Sequence, residues 1–350
     1  MSYKIAILRN ENPFDHELWV KACDDNKLVS AYDIIDVTKD DWYNKIYNKN
    51  YDLILLRPPG RSELFKKLYD ERAFLIHNYL KKIVYPSLEE VFIYENKRFL
   101  RDWLLCTDIP HPNTFISFYL KEAKTFIRDN NEFPIVAKTS IGSAGNGVQI
   151  LKNRDEAISY CEKAFKEGIK PSTGPHLKKG NLFKKLHKAM KKKGFINQRI
   201  KDYIKTDDTV QKGFVILQEF IPHDYEWRCV RIGNSFFAHK KIAIHNKSSG
   251  TLIKGYDTVP SSLLDFIKNI TDKVNLSSVA IDVFEKDNCF LVNEIQCFFG
   301  QSDPYQMLVE EKQGRYVFTS DGWSFEEGEF NKNESYDLRL EHAISIIKEY

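Results

Sequence analysis

The sequence predicts an α/β protein, with a small parallel α/β domain over residues 1–94 followed by a larger half of mixed α+β character. Three observations carry this. Apolar strand-like runs alternate with helix-like ones through the first 94 residues. A lysine-and-glycine hairpin stands near the middle of the chain, at Phe133–Val148. Two acidic residues, Asp282 and Glu294, sit inside apolar runs that read as the arms of one hairpin.

The first domain is read from Lys4–Leu8, a polar helix from about Asp15, then Ala31–Val37 and Asp52–Leu56, with Ile83-Val-Tyr-Pro86 as a fourth strand. Short apolar strands separated by helices make a parallel sheet. Arg9 and Arg57 each follow a strand, so they are expected at its carboxyl ends, where open α/β sheets bind ligands. Arg61 follows Pro58-Pro59-Gly60. Together the three arginines form a candidate site for a substrate carboxylate or phosphate; otherwise they simply end exposed strands. A helix from Asn96 to about Leu105 comes next, broken by Pro110 and Pro112. A closing helix is expected over Leu338–Glu349.

The hairpin delivers Lys138 to a loop holding Ser140, Gly142, Ser143, Gly145 and Gly147, and the chain re-enters Val148-Gln-Ile-Leu151 as a strand. Glycines let backbone N–H groups approach an anion, and the lysine adds a point charge for it. This suggests a lid over nucleotide phosphates, unless the loop is an ordinary turn. It is not a Walker A loop, because the lysine precedes the glycines. Val215-Ile-Leu-Gln-Glu-Phe-Ile-Pro222 reads as a strand running into a hinge, whose exposed backbone groups suit an adenine edge. In Glu226-Trp-Arg-Cys-Val-Arg-Ile232, polar residues alternate with apolar ones as in a half-buried strand. Asp282 and Glu294 are expected to face one another across adjacent strands about 4.8 Å apart. Buried carboxylates require a cation. Either they share Mg²⁺ bridging phosphates, or each meets a buried arginine or lysine. Neither has a basic neighbour within its own strand. The expectation is therefore metal binding, with Glu294→Gln relieving repulsion and slightly stabilising the fold.

Lys97 in Asn-Lys-Arg-Phe-Leu, Lys138 with its glycine loop, the Gln-Glu-Phe-Ile hinge, Glu226 with Arg228, Lys240 or Lys241, Asp282 and Glu294 occur in an order that resembles the ATP-grasp superfamily. Within it, the chain is most similar to carboxylate–amine ligases such as ribosomal-protein S6 glutamate ligase and D-alanine–D-alanine ligase, from about Glu95 to about Ser302. The resemblance implies a two-lobed ATP-grasp fold, with a lid lobe over 95–213 that carries a basic insertion at 163–213. A nucleotide- and metal-binding lobe with the C-terminal helix would fill 214–350. It further implies that Lys97 and Lys138 hold the α- and β-phosphates and that Gln218, Glu219, Phe220 and Ile221 hold adenine. Glu226 would bond the ribose, and Arg228 with Lys240 or Lys241 would face the γ-phosphate. Asp282, Glu294 and Gln296 would ligate two Mg²⁺ ions, with Mn²⁺ able to substitute. Gln296 stands where the family usually has asparagine, and Ala280 where D-alanine ligases carry an arginine. The implied activity joins a carboxylate, activated by ATP as an acyl phosphate, to an amine. A phosphotransferase or a nucleotide sensor is the alternative.

Composition agrees. The chain has 350 residues, 42% hydrophobic, enough for more than one domain. A net charge of only +3 excludes a wholly basic nucleic-acid binder. Six cysteines without a CxxC pair suit a reducing compartment, and the chain opens directly on a strand with no secretory leader, so a cytoplasmic enzyme is expected. No apolar run approaches the roughly 20 residues of a membrane span. Lysines crowd the insertion at Lys178, Lys179, Lys184, Lys185, Lys188 and Lys191–Lys193. They form a solvated face or dock an acidic glycan, carrier or protein; nucleic acid is less favoured. A second copy of the chain is a further candidate partner.

Overall fold

The computed structural model describes residues 2–142, 147–171, 210–244, 247–248, 253–301 and 303–349. The lysine run of the insertion, Ser143 and Gly145 lie outside the described residues. Elements follow the chain as β1 (Tyr3–Arg9), α1 (Glu17–Asp25), β2 (Val29–Asp36), α2 (Trp42–Tyr47), β3 (Leu53–Leu56), α3 (Glu63–Asn78), β4 (Val84–Tyr85), α4 (Leu88–Ile93) and α5 (Lys97–Cys106). Strands β1–β4 form a parallel sheet in the order β2-β1-β3-β4. Every residue of β3 is buried, as expected of a parallel strand covered on both faces.

Next come β5 (Thr114–Ser117), α6 (Leu120–Asp129), β6 (Ile135–Lys138), β7 (Val148–Leu151), α7 (Arg154–Lys166) and β8 (Val215–Glu219). The strands form an antiparallel sheet in the order β5-β8-β6-β7. Ala123 and Ile127 of α6 and Ala157 and Cys161 of α7 share its core with Ala137 and Leu217. The lid lobe therefore does not end at residue 213. β8 is its central strand, and the lobe closes at Glu219, because β8 pairs with β5 and β6.

The last sheet holds β9 (Tyr225–Ile232), β10 (Ser235–Ile244), β11 (Lys247–Ser248), β12 (Lys254–Gly255), β13 (Ser278–Lys286), β14 (Cys289–Gln296), β15 (Leu308–Val309), β16 (Lys312–Thr319) and β17 (Gly322–Glu327). Its order is β14-β13-β9-β10-β16-β15, with β11 and β12 on β10 and β17 on β16. Trp227, Cys229, Ile281, Val283 and Ile295 pack in one core with Leu100 and Trp103 of α5 and Leu263 and Ile267 of α8 (Ser261–Lys273). Because side chains alternate along a strand, the residues between them face the other way, toward the lid sheet.

The closing helix, α9 (Tyr336–Glu349), does not belong with the second lobe as expected. Its Tyr336, Leu340, Ala343 and Ile344 join the core of the N-terminal sheet with Ile5, Trp19 and Leu53. The Trp19 and Tyr336 rings meet edge to face at 4.6 Å. This apolar stripe would otherwise be exposed.

Candidate nucleotide and metal site

β9, β10, β13 and β14 align their charged residues on one face by register. Asp282 is paired across the ladder with Arg228 on one side and Glu294 on the other. Lys241 is paired with Glu226. Directly opposed residues share a face. Asp282 Oδ1 accepts from Arg228 Nη1 at 2.9 Å, and its Oδ2 accepts from Lys241 Nζ at 2.7 Å. Lys241 Nζ also donates to Glu226 Oε2 at 3.0 Å. Arg228 Nη2 donates to Gln296 Oε1 at 3.3 Å.

Two lysines arrive from outside this sheet. Asn96 caps α5 through the Phe99 N–H, so Lys97 sits in the helix's first turn. Its ammonium lies 3.0 Å from Glu294 Oε1 and 3.9 Å from Glu95 Oε2. Its backbone N–H bonds Ser140 O at 3.1 Å, fastening the helix to the glycine loop. Lys138, the last residue of β6, donates to Asn293 Oδ1 at 2.7 Å. Asn293 is the extra residue of a bulge, since Asp282 pairs with Glu294 and Val283 with Val292. Bulges re-aim side chains in this way. Asn293 Nδ2 reaches Glu226 Oε1 at 3.3 Å. At the loop, Gly142 N–H donates to Glu95 Oε2 at 3.0 Å, and a Cβ on Gly147 would run into Thr139 Oγ1.

Four carboxylates (Glu95, Glu226, Asp282, Glu294) thus face four cations (Lys97, Lys138, Arg228, Lys241). Burial opposes ionisation of Asp282, yet Arg228 and Lys241 outweigh it and hold its pKa at about 2. Burial likewise opposes charge on Glu294, and Lys97 overcomes it, so its pKa is lowered. Burial raises the pKa of Glu95 and of Glu226 against the pull of Lys97 and Lys241. Burial lowers Lys138 to about 8, and the Glu294 carboxylate only partly offsets this. The neutral Asn293 amide contributes no charge to hold the proton.

Asp282 and Glu294 do face one another as expected, but neither lacks a basic partner. The cations come from β9, β10 and α5 rather than from their own strands, so the expected gain in stability from Glu294→Gln reverses. Of the pair Lys240 and Lys241, only Lys241 joins the face. Lys240 points the other way, 2.9 Å from Asp257 and over the Tyr225 ring. Gln218 is buried on Thr114 Oγ1 at 3.0 Å. Glu219 accepts the Asn113 N–H at 3.0 Å. Phe220 and Ile221 follow in the hinge, with Ile221 O bound to the His223 ring at 2.7 Å. Arg9 and Arg57 lie at adjacent strand ends, but Arg9 pairs with Asp36 at 2.6 Å. Arg57 pairs with Asp15 at 3.4 Å and stacks on Phe298. Arg61 lies beyond them, near Glu11. Glu95 and Asn293 belong to the cluster without having been singled out. Both adjoin residues that were, but a bulge and a buried turn leave no periodic signal.

Among the described residues, no group of three or more His, Cys, Asp or Glu side chains has metal-binding geometry. Mg²⁺, however, usually takes only one or two carboxylates beside substrate phosphates and water. Two carboxylates in register, with the Gln296 amide oxygen on the same face, meet that demand. No helix among the described residues is long and apolar enough to cross a membrane.

Residues 95–170 match the family model of the RimK-like ATP-grasp domain. No curated protein sequence matches the chain. The fold is similar to that of a RimK-domain ATP-grasp protein from Sphaerobacter thermophilus, 16% identical, with a TM-score of 0.50 over 83% of this chain and 90% of that one. It is also similar to D-alanine–D-alanine ligase from Bacillus anthracis complexed with ATP, 13% identical, with a TM-score of 0.53 over 100% of this chain and 99% of that one. A third similar structure is the ATP-grasp ligase PsnB complexed with minimal precursor, Mg and ADP, 11% identical, with a TM-score of 0.51 over 87% and 93% of the two chains. The chain shares the fold of these ATP-grasp proteins, and its residues 95–170 are similar to the RimK-like ATP-grasp domain.

Proposed function

We propose that the chain is an ADP-forming ligase that activates a carboxylate with ATP and passes the acyl group to an amine. The observation that carries this is the convergence of Lys97, Lys138, Arg228 and Lys241 with Asp282 and Glu294 at one sheet face. Structural relatives with ATP, or with Mg and ADP, support a nucleotide there. In this reading Lys97 and Lys138 hold the α- and β-phosphates, and the loop from Ser140 to Gly147 covers them. The hinge from Gln218 to Ile221 holds adenine and Glu226 the ribose. Asp282, Glu294 and Gln296 would hold two Mg²⁺ ions, or Mn²⁺ in their place, which would supply positive charge to the phosphates. Glu294 would be free for metal once Lys97 engaged phosphate in its place. The four carboxylates and four cations are balanced, and a nucleotide triphosphate with two divalent ions is neutral, so the buried face keeps its balance on binding.

The substrate carboxylate attacks the γ-phosphorus, and the P–O bond to ADP breaks. Arg228 and Lys241, fixed on Asp282, meet the charge that builds on the transferred group. The amine then attacks the acyl carbon, forming the C–N bond and releasing phosphate. The closed loop keeps water from the acyl phosphate. We assign the lobes to 95–219 and 220–335, and the cytoplasm as location, where ATP and reduced thiols coexist. An acidic acceptor at 163–213 belongs to the same proposal. The test is incubation with ATP, Mg²⁺ and panels of acids and amines. Amide with ADP and phosphate supports the ligase, a stable phosphorylated product makes the chain a kinase, and nucleotide binding without turnover makes it a sensor.

A further inference from the structure

A cavity of about 590 Å³ borders the charged face, between α3 and the turn joining α4 to α5, with Glu95, Ser140 and Ile141 in its lining. Lys67, Asp70, Glu71, Phe74 and Leu75 line it from α3. Their spacing, i, i+3/i+4 and i+7/i+8, places them along one side of the helix. Phe74 and Leu75 are 42% and 41% exposed, and Phe92 also lines the cavity. Adjacent exposed apolar side chains mark binding surfaces more often than isolated ones do.

Not every polar group of the lining has a partner. Arg98 takes Glu63 at 2.8 Å, and Lys66 takes Asp70 together with Val91 O. Lys67 and Glu71 have no ion pair among the described residues. Asp70 Oδ1 is buried without a hydrogen-bond partner. A buried acceptor left unmet is costly and calls for a donor. Glu71, Lys67 and the unpartnered Asp70 Oδ1 stand together beside an apolar wall.

We propose that this cavity binds a small organic ammonium with an apolar body. The ammonium sits between Asp70 and Glu71, and the body lies against Phe74, Leu75 and Phe92. Lys67, one turn away, accommodates a carboxylate on the same ligand, so apolar amino acids and short peptides fall within the class. Glu95 and Ser140, which the nucleotide reading also uses, line one end of the cavity, but the residues proposed to hold the ammonium and its apolar body, on α3 and α4, are not among those assigned to the nucleotide.

Isothermal titration of the full chain with phenethylammonium and with its charge-reversed counterpart, 3-phenylpropionate, tests it. The ammonium is expected to bind roughly tenfold more tightly, the worth of one charged hydrogen bond. Leu75→Trp, which fills the cavity from an exposed position, should abolish that binding, and Glu71→Gln should weaken it severalfold. MgADP should not displace the amine. Equal binding of the two probes, no binding of either, an unaffected Leu75→Trp variant or displacement by MgADP would each overturn the proposal. A separate titration with MgADP alone reports on the nucleotide reading.

Discussion

Lys138 Nζ donates to Asn293 Oδ1 at 2.7 Å, so the lid lysine is held by a neutral amide although Glu226, Asp282 and Glu294 are all nearby. The arrangement positions the lysine without neutralising it. Replacing Asn293 by Asp would supply a carboxylate at hydrogen-bond distance, raise the lysine's pKa and repel phosphate. Asn293→Asp is expected to weaken MgATP binding by tenfold or more, about 1.4 kcal/mol per decade, with little loss of fold. Asn293→Ala should cost less. Titration of both variants with MgATP checks this.

The depressed Lys138 pKa, about 8, gives a pH dependence. Phosphate binding needs the ammonium, so nucleotide affinity should fall as pH rises through about 8. Stability moves the other way. The unfolded lysine binds its proton up to about 10.5, so between these values the unfolded state holds more protons and stability rises with pH. Lys138→Met should remove the inflection from the affinity profile; a wild-type profile flat from pH 7 to 9.5 contradicts the assignment.

Lys97 and Glu294 form an ion pair at 3.0 Å with both side chains largely buried. Glu294→Gln leaves the buried ammonium with Glu95, 3.9 Å away, as its nearest carboxylate, beside the Gly142 carbonyl at 3.4 Å. A wholly broken buried pair costs about 3–5 kcal/mol; with Glu95 remaining, the loss should be smaller but clear in a thermal melt. Turnover should vanish as well. A variant melting at or above the wild type contradicts the pairing.

Asp282 is held at a pKa of about 2, below its ordinary 3.8, by Arg228 and Lys241. A lowered carboxylate pKa contributes stability that is complete above the unfolded value and lost as pH falls through the folded one. This contribution should disappear between about pH 4 and pH 2. Asp282→Asn should flatten that part of the acid-unfolding curve, while destabilising the protein at neutral pH by removing the carboxylate of Arg228 and one of the two that hold Lys241.

The strands of the site were legible because alternation marks them. Glu226 and Arg228 stand at every second position of β9, and the turn after Phe284 sets Asp282 against Glu294. The pairing of those carboxylates was not legible, since Lys97 and Lys241 come from elements remote in sequence and only tertiary register brings them in. For the same reason β8 was assigned to the wrong lobe and α9 to the wrong core. A strand's local pattern says that it is buried but does not name its neighbour. The arginines Arg9 and Arg57 were placed correctly at strand ends, yet their acids, Asp36 at the end of the neighbouring β2 and Asp15 in the turn before α1, are set by strand register and loop direction that the pattern does not give.

The most direct test of the account is calorimetric titration of MgADP into the wild type, Lys138→Met and Glu294→Gln, with EDTA as a further arm. The account predicts one nucleotide per chain in the wild type, with affinity reduced at least about tenfold in each variant and on metal removal. Binding that is absent from the folded wild type, or indifferent to both substitutions and to EDTA, would contradict it.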